Sequence, residues 1–418
     1  MKRIKTLCLA TSALGLSVAL ARSAPPAPPA PPAPPAPTND DCLACHDDTS
    51  LTAGDGRSVA VAAKTFAGSV HGPLGCTDCH ADLAHAELPH AEKVAKVDCS
   101  GCHADPVTAY GKSIHAEARQ AGNAAAATCV DCHGKHDILA SSDHASPTYA
   151  LNLPNTCGKC HGDAKIIAAG NIKIGDVVAK YHDSIHGRAL EKSGLVVSAK
   201  CTDCHGNHEI RRKSDPKSRV YRANVPSTCG TCHDGIKTLY AAGIHGAKLA
   251  QGDPKVPVCS DCHTAHAIKR TDADSWKLDV LAECGTCHVQ SLRTYRDTFH
   301  GQVTSLGFTR VASCADCHGA HDIYPEKDPR STVSSEHRAA TCRKCHASAG
   351  ASFAKYDPHA DKRDAERNPP LYWTARFMQL LLGSVFVFFG LHTSLWFQRA
   401  LRGDPPPKPP KPPKKGGK

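Results

Sequence analysis

Methionine is nearly missing from this chain. Two occur in 418 residues, Met1 and Met378, and neither lies in the long stretch between them. A thioether ligand for a metal is therefore excluded there. Aromatic side chains are also scarce: 9 Phe, 9 Tyr and 3 Trp are too few to fill the two or three apolar cores that a chain of this length would ordinarily make. Something other than side chains must supply the interior. What the chain has in excess is cysteine and histidine, 23 and 27 residues. Cysteine at that density implies a disulfide framework, a metal protein or a haem protein, and spacing decides among them.

From Cys42 onward one pattern recurs. Cys-X-X-Cys-His runs from Cys42 and Cys45 to His46, and again through Cys76, Cys79 and His80; Cys99, Cys102 and His103; Cys129, Cys132 and His133; Cys157, Cys160 and His161; and Cys201, Cys204 and His205. It continues through Cys229, Cys232 and His233; Cys259, Cys262 and His263; Cys284, Cys287 and His288; Cys314, Cys317 and His318; and Cys342, Cys345 and His346. These eleven motifs use 22 of the 23 cysteines. Chance would give on the order of 0.1 such motifs in this composition. Two thiols on one helical turn can add to both vinyl groups of a single haem, and the adjacent histidine is then held beneath the iron as the proximal ligand. Zinc ribbons or disulfides would not place a histidine directly after every second cysteine. The reading is eleven covalently bound c-type haems.

With methionine excluded, histidine is the candidate for the sixth ligand, and sixteen histidines remain beyond the proximal eleven. The motifs form one leading site followed by five pairs, starting at 76/99, 129/157, 201/229, 259/284 and 314/342. The first motif of each pair is closely followed by a second histidine: His85, His136, His208, His266 or His321. The leading motif and the second motif of each pair are followed, 12 to 13 or 25 residues on, by His71, His115, His186, His245, His300 or His359. Several of these read Ser-X-His or His-Gly, as in Ser184-Ile185-His186-Gly187. Five and six make eleven, as many as the haems, which points to bis-histidine iron throughout. His90, His144, His182, His337 and His392 fall outside the repeat and read as surface or core imidazoles, with His182 close enough to His186 to exchange roles.

The array, with phrases such as Cys-Ala-Asp-Cys-His-Gly-Ala-His-Asp-Ile at 314 to 323, resembles the doubled Cys-X-X-Cys-His family of multihaem cytochromes from about Cys42 to His359. Asp357-Pro358-His359-Ala360, Arg367-Asn368-Pro369 and a single apolar segment holding Gly390-Leu391-His392-Thr393 resemble a subset of it. In that subset the cytochrome works beside a membrane cytochrome b in a quinol-linked complex. The resemblance implies a multihaem cytochrome c fold, mainly short α-helices and loops wrapped on stacked haems with little or no β-sheet. The family's quinol dehydrogenases with an N-terminal anchor differ in this respect, so their quinol-site residues do not transfer.

The ends of the chain bear on location. Met1 to Lys5 is basic, Thr6 to Ala21 is apolar, and Ala19-Leu20-Ala21 offers the small residues a signal peptidase needs, so residues 1–21 read as a cleaved export signal. The other reading, a first membrane anchor, has roughly 16 apolar residues against the ~20 needed to span. Cys8 would leave with the signal. Residues 22–41 hold Pro-Pro-Ala triplets that extend as a stiff polyproline spacer. The haem domain occupies residues 42–370, a membrane helix 371–398 and a basic tail 399–418. Phe377 to Phe397 is long enough, at roughly 31 Å, to cross a hydrocarbon core. Tyr372, Trp373 and Trp396 mark the interfaces, and Arg399, Arg402 and five lysines from Lys408 to Lys418 keep the C-terminus in the cytoplasm, with the haems in the periplasm. Arg376, Gln379, Gly383, Gly390 and Ser394 form a small and polar stripe on one face, suited to another helix. His392, on the opposite face, reads either as a haem ligand or quinone contact in a partner or as an imidazole snorkelling to the interface.

The formal charge of +10 falls to about +1 once the signal and tail are set aside, and some 22 haem propionates would make the haem domain acidic. Nucleic-acid binding is not supported. Eleven haems in the 329 residues of 42–370 leave too little protein to separate them, so they must be near neighbours. The function expected is electron transfer between a membrane quinol-linked cytochrome b and periplasmic or outer-membrane acceptors, including other cytochromes, with no catalytic residues. Two other classes would be marked differently. A reductase of nitrogen or sulfur oxyanions needs an iron with an open position. A subunit of an extracellular conducting filament must leave the membrane.

Overall fold

The protein is described by a computed structural model over residues 35–403; the export signal with Cys8, most of the proline run and the lysines of the basic tail lie outside the described residues. Two compact units are present, one ending at Asp98 and excluding Gly68–His71, the other made of Gly68–His71 and the chain from Cys99 on. Among the described residues the regular structure is helical, with a single isolated bridge between Thr52 and Ser58.

In the first unit, helix α1 (Asn39–His46) starts on a capping box: the Thr38 hydroxyl accepts from Asp41 N–H at 3.3 Å and the Asp41 carboxylate accepts from Thr38 N–H at 2.8 Å. This satisfies donors that a helix start leaves unpaired, and it fixes a turn carrying Cys42, Cys45 and His46. The carboxylate half of this device recurs wherever a pair begins. The first motif of each pair reads Cys-X-Asp-Cys-His, and Asp78, Asp131, Asp203, Asp261 and Asp316 each accept from the backbone N–H three residues earlier at 2.7 to 2.9 Å. Helices as short as Cys129–His133, Cys201–His205, Cys259–His263 and Cys314–His318 are thereby held without a long hydrogen-bond ladder.

The second unit repeats a set of ties. Helices α2 (Ile114–Gln120), α3 (Ile185–Glu191) and α4 (Ile244–Ala250) each open on the Ser-X-His or Gly-X-His phrase. Ser113 and Ser184 cap by accepting from Ala116 and Gly187 N–H at 3.2 and 3.0 Å. The first N–H of each helix donates to an isoleucine carbonyl two residues after a histidine of the other series: Ile114 to Ile210, Ile185 to Ile268 and Ile244 to Ile323, at 2.7 to 2.8 Å. Val70 makes the same bond to Ile138. A tyrosine ahead of each phrase, Tyr110, Tyr181 or Tyr240, donates to the carbonyl of Ala127, Ala199 or Pro257, two residues before the next motif. Burial pushes the Tyr240 phenol up to about 12, so it keeps the proton it donates.

The C-terminal part follows with α5 (Val289–Asp297) and α6 (Phe299–Ser305), where Thr298 caps α6 and Tyr295 donates to Ala312 O at 2.9 Å. The strap at 357–368 lies on α5 through Arg293 to Asp361, Lys362 to Asp297 at 3.0 Å, and Arg367 to Asp357 within the strap at 2.8 Å. It leads into α7 (Pro369–Leu401), 33 residues, apolar enough to cross a membrane and without one buried residue. A Cβ on Gly383 or Gly390 would meet nothing within 4 Å, so this chain itself packs nothing on the small-residue stripe.

Side chains do not make a conventional core. Among the described residues few apolar side chains are buried: Ala116, Leu190, Val256, Val258, Leu281, Tyr295 and Ala349. Even at about 2 kcal/mol for each large one, such a set is far short of the entropy cost of ordering the chain. The fold depends on what the cysteines and histidines hold.

Candidate haem centres

Ten of the eleven motif histidines stand opposite a second histidine, at ring-centre separations of 5.9 to 6.3 Å. The distance is nearly constant while the angle between ring planes runs from 4° to 69°. Contact between rings would tie spacing to tilt. A metal between them explains both, because each nitrogen stands about 2 Å from a metal, which puts the ring centres about 6.3 Å apart and leaves rotation about the bonds unrestricted. The residues present fit a haem iron between two imidazoles.

The pairing has a definite register. His71 faces His103, His115 faces His161, His186 faces His233, His245 faces His288 and His300 faces His346. Each of these histidines therefore serves the second motif of the pair that follows it in the chain. The close series runs the other way: His208 faces His133, His266 faces His205 and His321 faces His263, each serving the first motif of the pair before it. His359 takes that role for His318, at 6.2 Å. The isoleucine ties explain how both series are aimed, since each binds one histidine phrase to the other through a single backbone bond. His80 is half-buried and His136 exposed, and neither is without a partner.

At the leading motif the structure departs from the sequence reading. His90, not His85, stands opposite His46, at 5.9 Å and with the rings only 7° from parallel. His85 is exposed. His46 Nδ1 lies 2.8 Å from Val59 O and His90 Nδ1 2.7 Å from Ala91 O. With each Nδ1–H donated to a carbonyl, both rings keep Nε2 as the nitrogen that could bind a metal. The physical reason is the missing turn. After His133, His205 and His318 a glycine at φ +83° to +88° folds the chain back within three residues, whereas Ala81 follows His80 and a 3-10 turn, Ala81–Leu83, intervenes. In the fourth pair the turn residue is Thr264 at φ +64°, a strained position for a β-branched side chain.

The remaining histidines have other occupations. His182 is paired with Glu191 and does not exchange with His186; His144 lies against Tyr149 at 4.4 Å; His337 approaches the Ser334 hydroxyl at 3.2 Å; His392 is exposed on α7.

Electrostatics favour the ligating form. Burial lowers the pKa of His115, His133, His161, His186, His205, His245, His263, His266, His318 and His359, which keeps these imidazoles neutral. No disulfide joins any described cysteine. Nor, among the described residues, do three or more His, Cys, Asp or Glu converge as a closed zinc site requires. Instead the thiols of successive motifs meet: Cys42 with Cys76, Cys157 with Cys201, Cys229 with Cys259 and Cys284 with Cys314. Within pairs, Cys132 feels Cys160, Cys204 feels Cys229, and Cys317 feels Cys342 and Cys345. Neighbouring attachment sites are therefore close in chain order. The chemistry a haem supplies there is reversible one-electron transfer at iron.

The glycine after the distal histidine is a packing requirement. A Cβ on Gly187, Gly246 or Gly301 would sit 2.1 to 2.2 Å from the carbonyl oxygen of Tyr181, Tyr240 or Tyr295. In α2 the position is Ala116, which is buried, and a methyl is the largest group these elements carry there.

Comparison with known proteins agrees with the motifs. Residues 194–238 match the family model described as the doubled CXXCH motif. A stretch of 145 residues, 32% of this chain and 71% of the relative, is 26% identical to the cytochrome c-type protein NrfB of Escherichia coli O6:H1. Together with the motifs these findings support a multihaem c-type cytochrome. No solved structure matches the cytochrome. Its function is electron transfer, and α7 is a candidate membrane span.

Proposed function

We propose that this cytochrome is a membrane-anchored conduit that carries electrons through eleven bis-histidine haems between a quinol-linked membrane cytochrome b and periplasmic or outer-membrane acceptors. The observation that carries the reading is the constancy of the histidine pairs. An iron with histidine on both sides has no position for substrate, so the chain is a carrier and not a reductase. The proximal ligands are His46, His80, His103, His133, His161, His205, His233, His263, His288, His318 and His346. The distal set is that of the sequence reading with His90 in place of His85.

The chain's own residues do three things in this scheme. The cysteines would fix each group at two points, the buried imidazoles would bind its iron in their neutral form, and the meeting thiols of successive motifs would bring neighbouring groups close together. Residues 1–21 export the domain, residues 22–41 space it from the signal, α7 anchors it and the basic tail stays inside.

The experiment is reduction by a membrane-soluble quinol. In native membrane vesicles holding the full chain, duroquinol is expected to reduce essentially all of its c-type haem, and the detergent-purified chain alone is expected to remain oxidised. Failure of the vesicles to reduce it, or absence of a b-type subunit from the purified complex, would contradict the quinol-linked reading.

A further inference from the structure

We infer that the turn after α6, with Leu306 and Phe308 at its tip, is a second membrane contact: it seats in the lipid surface and fixes the tilt of the last haem pair on the bilayer. The inference rests on the reading of α7 as a membrane anchor and adds to it a contact made by the haem domain itself.

The repeat supplies the comparison. Counting from the distal histidine, Leu306 stands six residues after His300, where the equivalent elements have Ala121, Lys192 and Gln251; Phe308 stands eight residues after, where they have Asn123, Gly194 and Asp253. Small or polar residues at these places in the other repeats mark a face turned to water and not to a haem. In the last repeat both are large and apolar. Leu306 is 88% exposed, the highest value for any large apolar side chain among the described residues, and Phe308 is 51% exposed. An apolar side chain so exposed costs free energy unless something apolar covers it.

A further difference lies at the other end of α6. In the preceding repeats the first helical N–H is taken by Ile210, Ile268 or Ile323. Among the described residues no carbonyl takes that place for Phe299, whose side chain is 75% exposed. The array ends here, and this edge faces out.

What covers it follows from the strap. Asp297, the residue before the Thr298 cap of α6, is paired with Lys362, and Thr294 Oγ1 lies 3.0 Å from His359 Nδ1. Six residues separate Lys362 from Pro369, where α7 begins, and the Asn368 side chain accepts from Asp361 N–H at 3.0 Å, which keeps that link short. At 1.5 Å per residue α6 is only about 10 Å long, so its tip lies within about 10 Å of the Thr298 cap, next to the Asp297 that the strap holds. Arg310, exposed, follows the turn, and the Thr309 hydroxyl between it and Phe308 donates to the Asp274 carboxylate. A basic residue beside exposed Leu and Phe suits the boundary between headgroups and acyl chains.

The test uses the full haem-loaded chain reconstituted alone into nanodiscs containing a phospholipid with a photoactivatable diazirine. Trypsin then releases three haem-free peptides. Residues 377–399 report the anchor and 297–310 the turn. Residues 193–200, which carry the exposed Leu195, Val196 and Val197 of an earlier repeat, report apolar exposure without the strap. Lipid adducts are expected on 377–399 and 297–310, with 297–310 labelled at least about fivefold above 193–200, as for an interfacial segment. In the double variant L306Q/F308Q the label on 297–310 should fall to the level of 193–200 while 377–399 is unchanged. Label on 377–399 with none on 297–310 overturns the second contact and leaves the anchor standing. Label on neither overturns both. Cross-linking of 297–310 to a protein in native membranes, with no lipid adduct in nanodiscs, overturns the inference in favour of a protein-facing patch.

Discussion

Replacing His359 by alanine should leave one ferric iron high-spin and slow the entry of electrons from the membrane side to a small fraction of the native rate. The argument starts from position. His359 lies in the strap that leads into α7, its ring is 6.2 Å from His318, and Thr294 engages its Nδ1 at 3.0 Å. The ring is thus held with the other nitrogen directed across the gap. Burial lowers its pKa, which preserves the neutral form that a metal requires. Removing the imidazole leaves one open coordination position, at the end of the array nearest the anchor. The methionine variant separates ligation from structure: a thioether stabilises ferrous iron, so one potential should rise by on the order of 100 mV within the roughly 0.8 V that axial ligands span. An alanine variant that stays wholly low-spin, with an unchanged redox titration, would remove His359 from the ligand set.

The second large effect distinguishes His90 from His85. His90→Ala should produce one high-spin iron among eleven, while His85→Ala should leave the ferric spectrum unaltered. The reasons are geometric. His90 is parallel to His46 within 7°, and both rings place Nδ1 on a backbone carbonyl, whereas His85 is exposed. Electron paramagnetic resonance of the two ferric variants decides it. A high-spin signal from His85→Ala, or none from His90→Ala, would restore the assignment that the sequence alone suggests.

That assignment shows how far the sequence is legible. The attachment sites follow from covalent chemistry, because two thiols and a histidine must share one turn wherever a haem is fixed in this way. The absence of methionine leads directly to histidine as the second ligand. The register between the two series is not legible, since His115 faces His161 and not its nearer neighbour His103, and nothing in the spacing says that a phrase reaches one motif further on. The ties that impose this, such as Ile114 N–H to Ile210 O, are backbone bonds that leave no side-chain signature beyond the recurrent isoleucine. His90 is missed for a related reason: the tight positive-φ turn, at Gly134, Gly206, Thr264 and Gly319, that sets the other close histidines is absent after His80. The motifs carry one further signal. The aspartate in Cys-X-Asp-Cys-His marks the first motif of every pair, and the structure explains it as the cap of a helix too short to stand otherwise. The long apolar α7 was legible from length and composition because a membrane imposes both.

The most direct test of the central claim is to count irons and their spin states together on the mature, fully oxidised chain. Intact mass after loss of the signal should show eleven covalent haem additions, and electron paramagnetic resonance with near-infrared magnetic circular dichroism should assign every iron as low-spin with two histidine ligands. Fewer than ten haems, or a high-spin ferric component amounting to one iron per chain, would contradict a closed bis-histidine conduit and would point instead to a site where substrate binds.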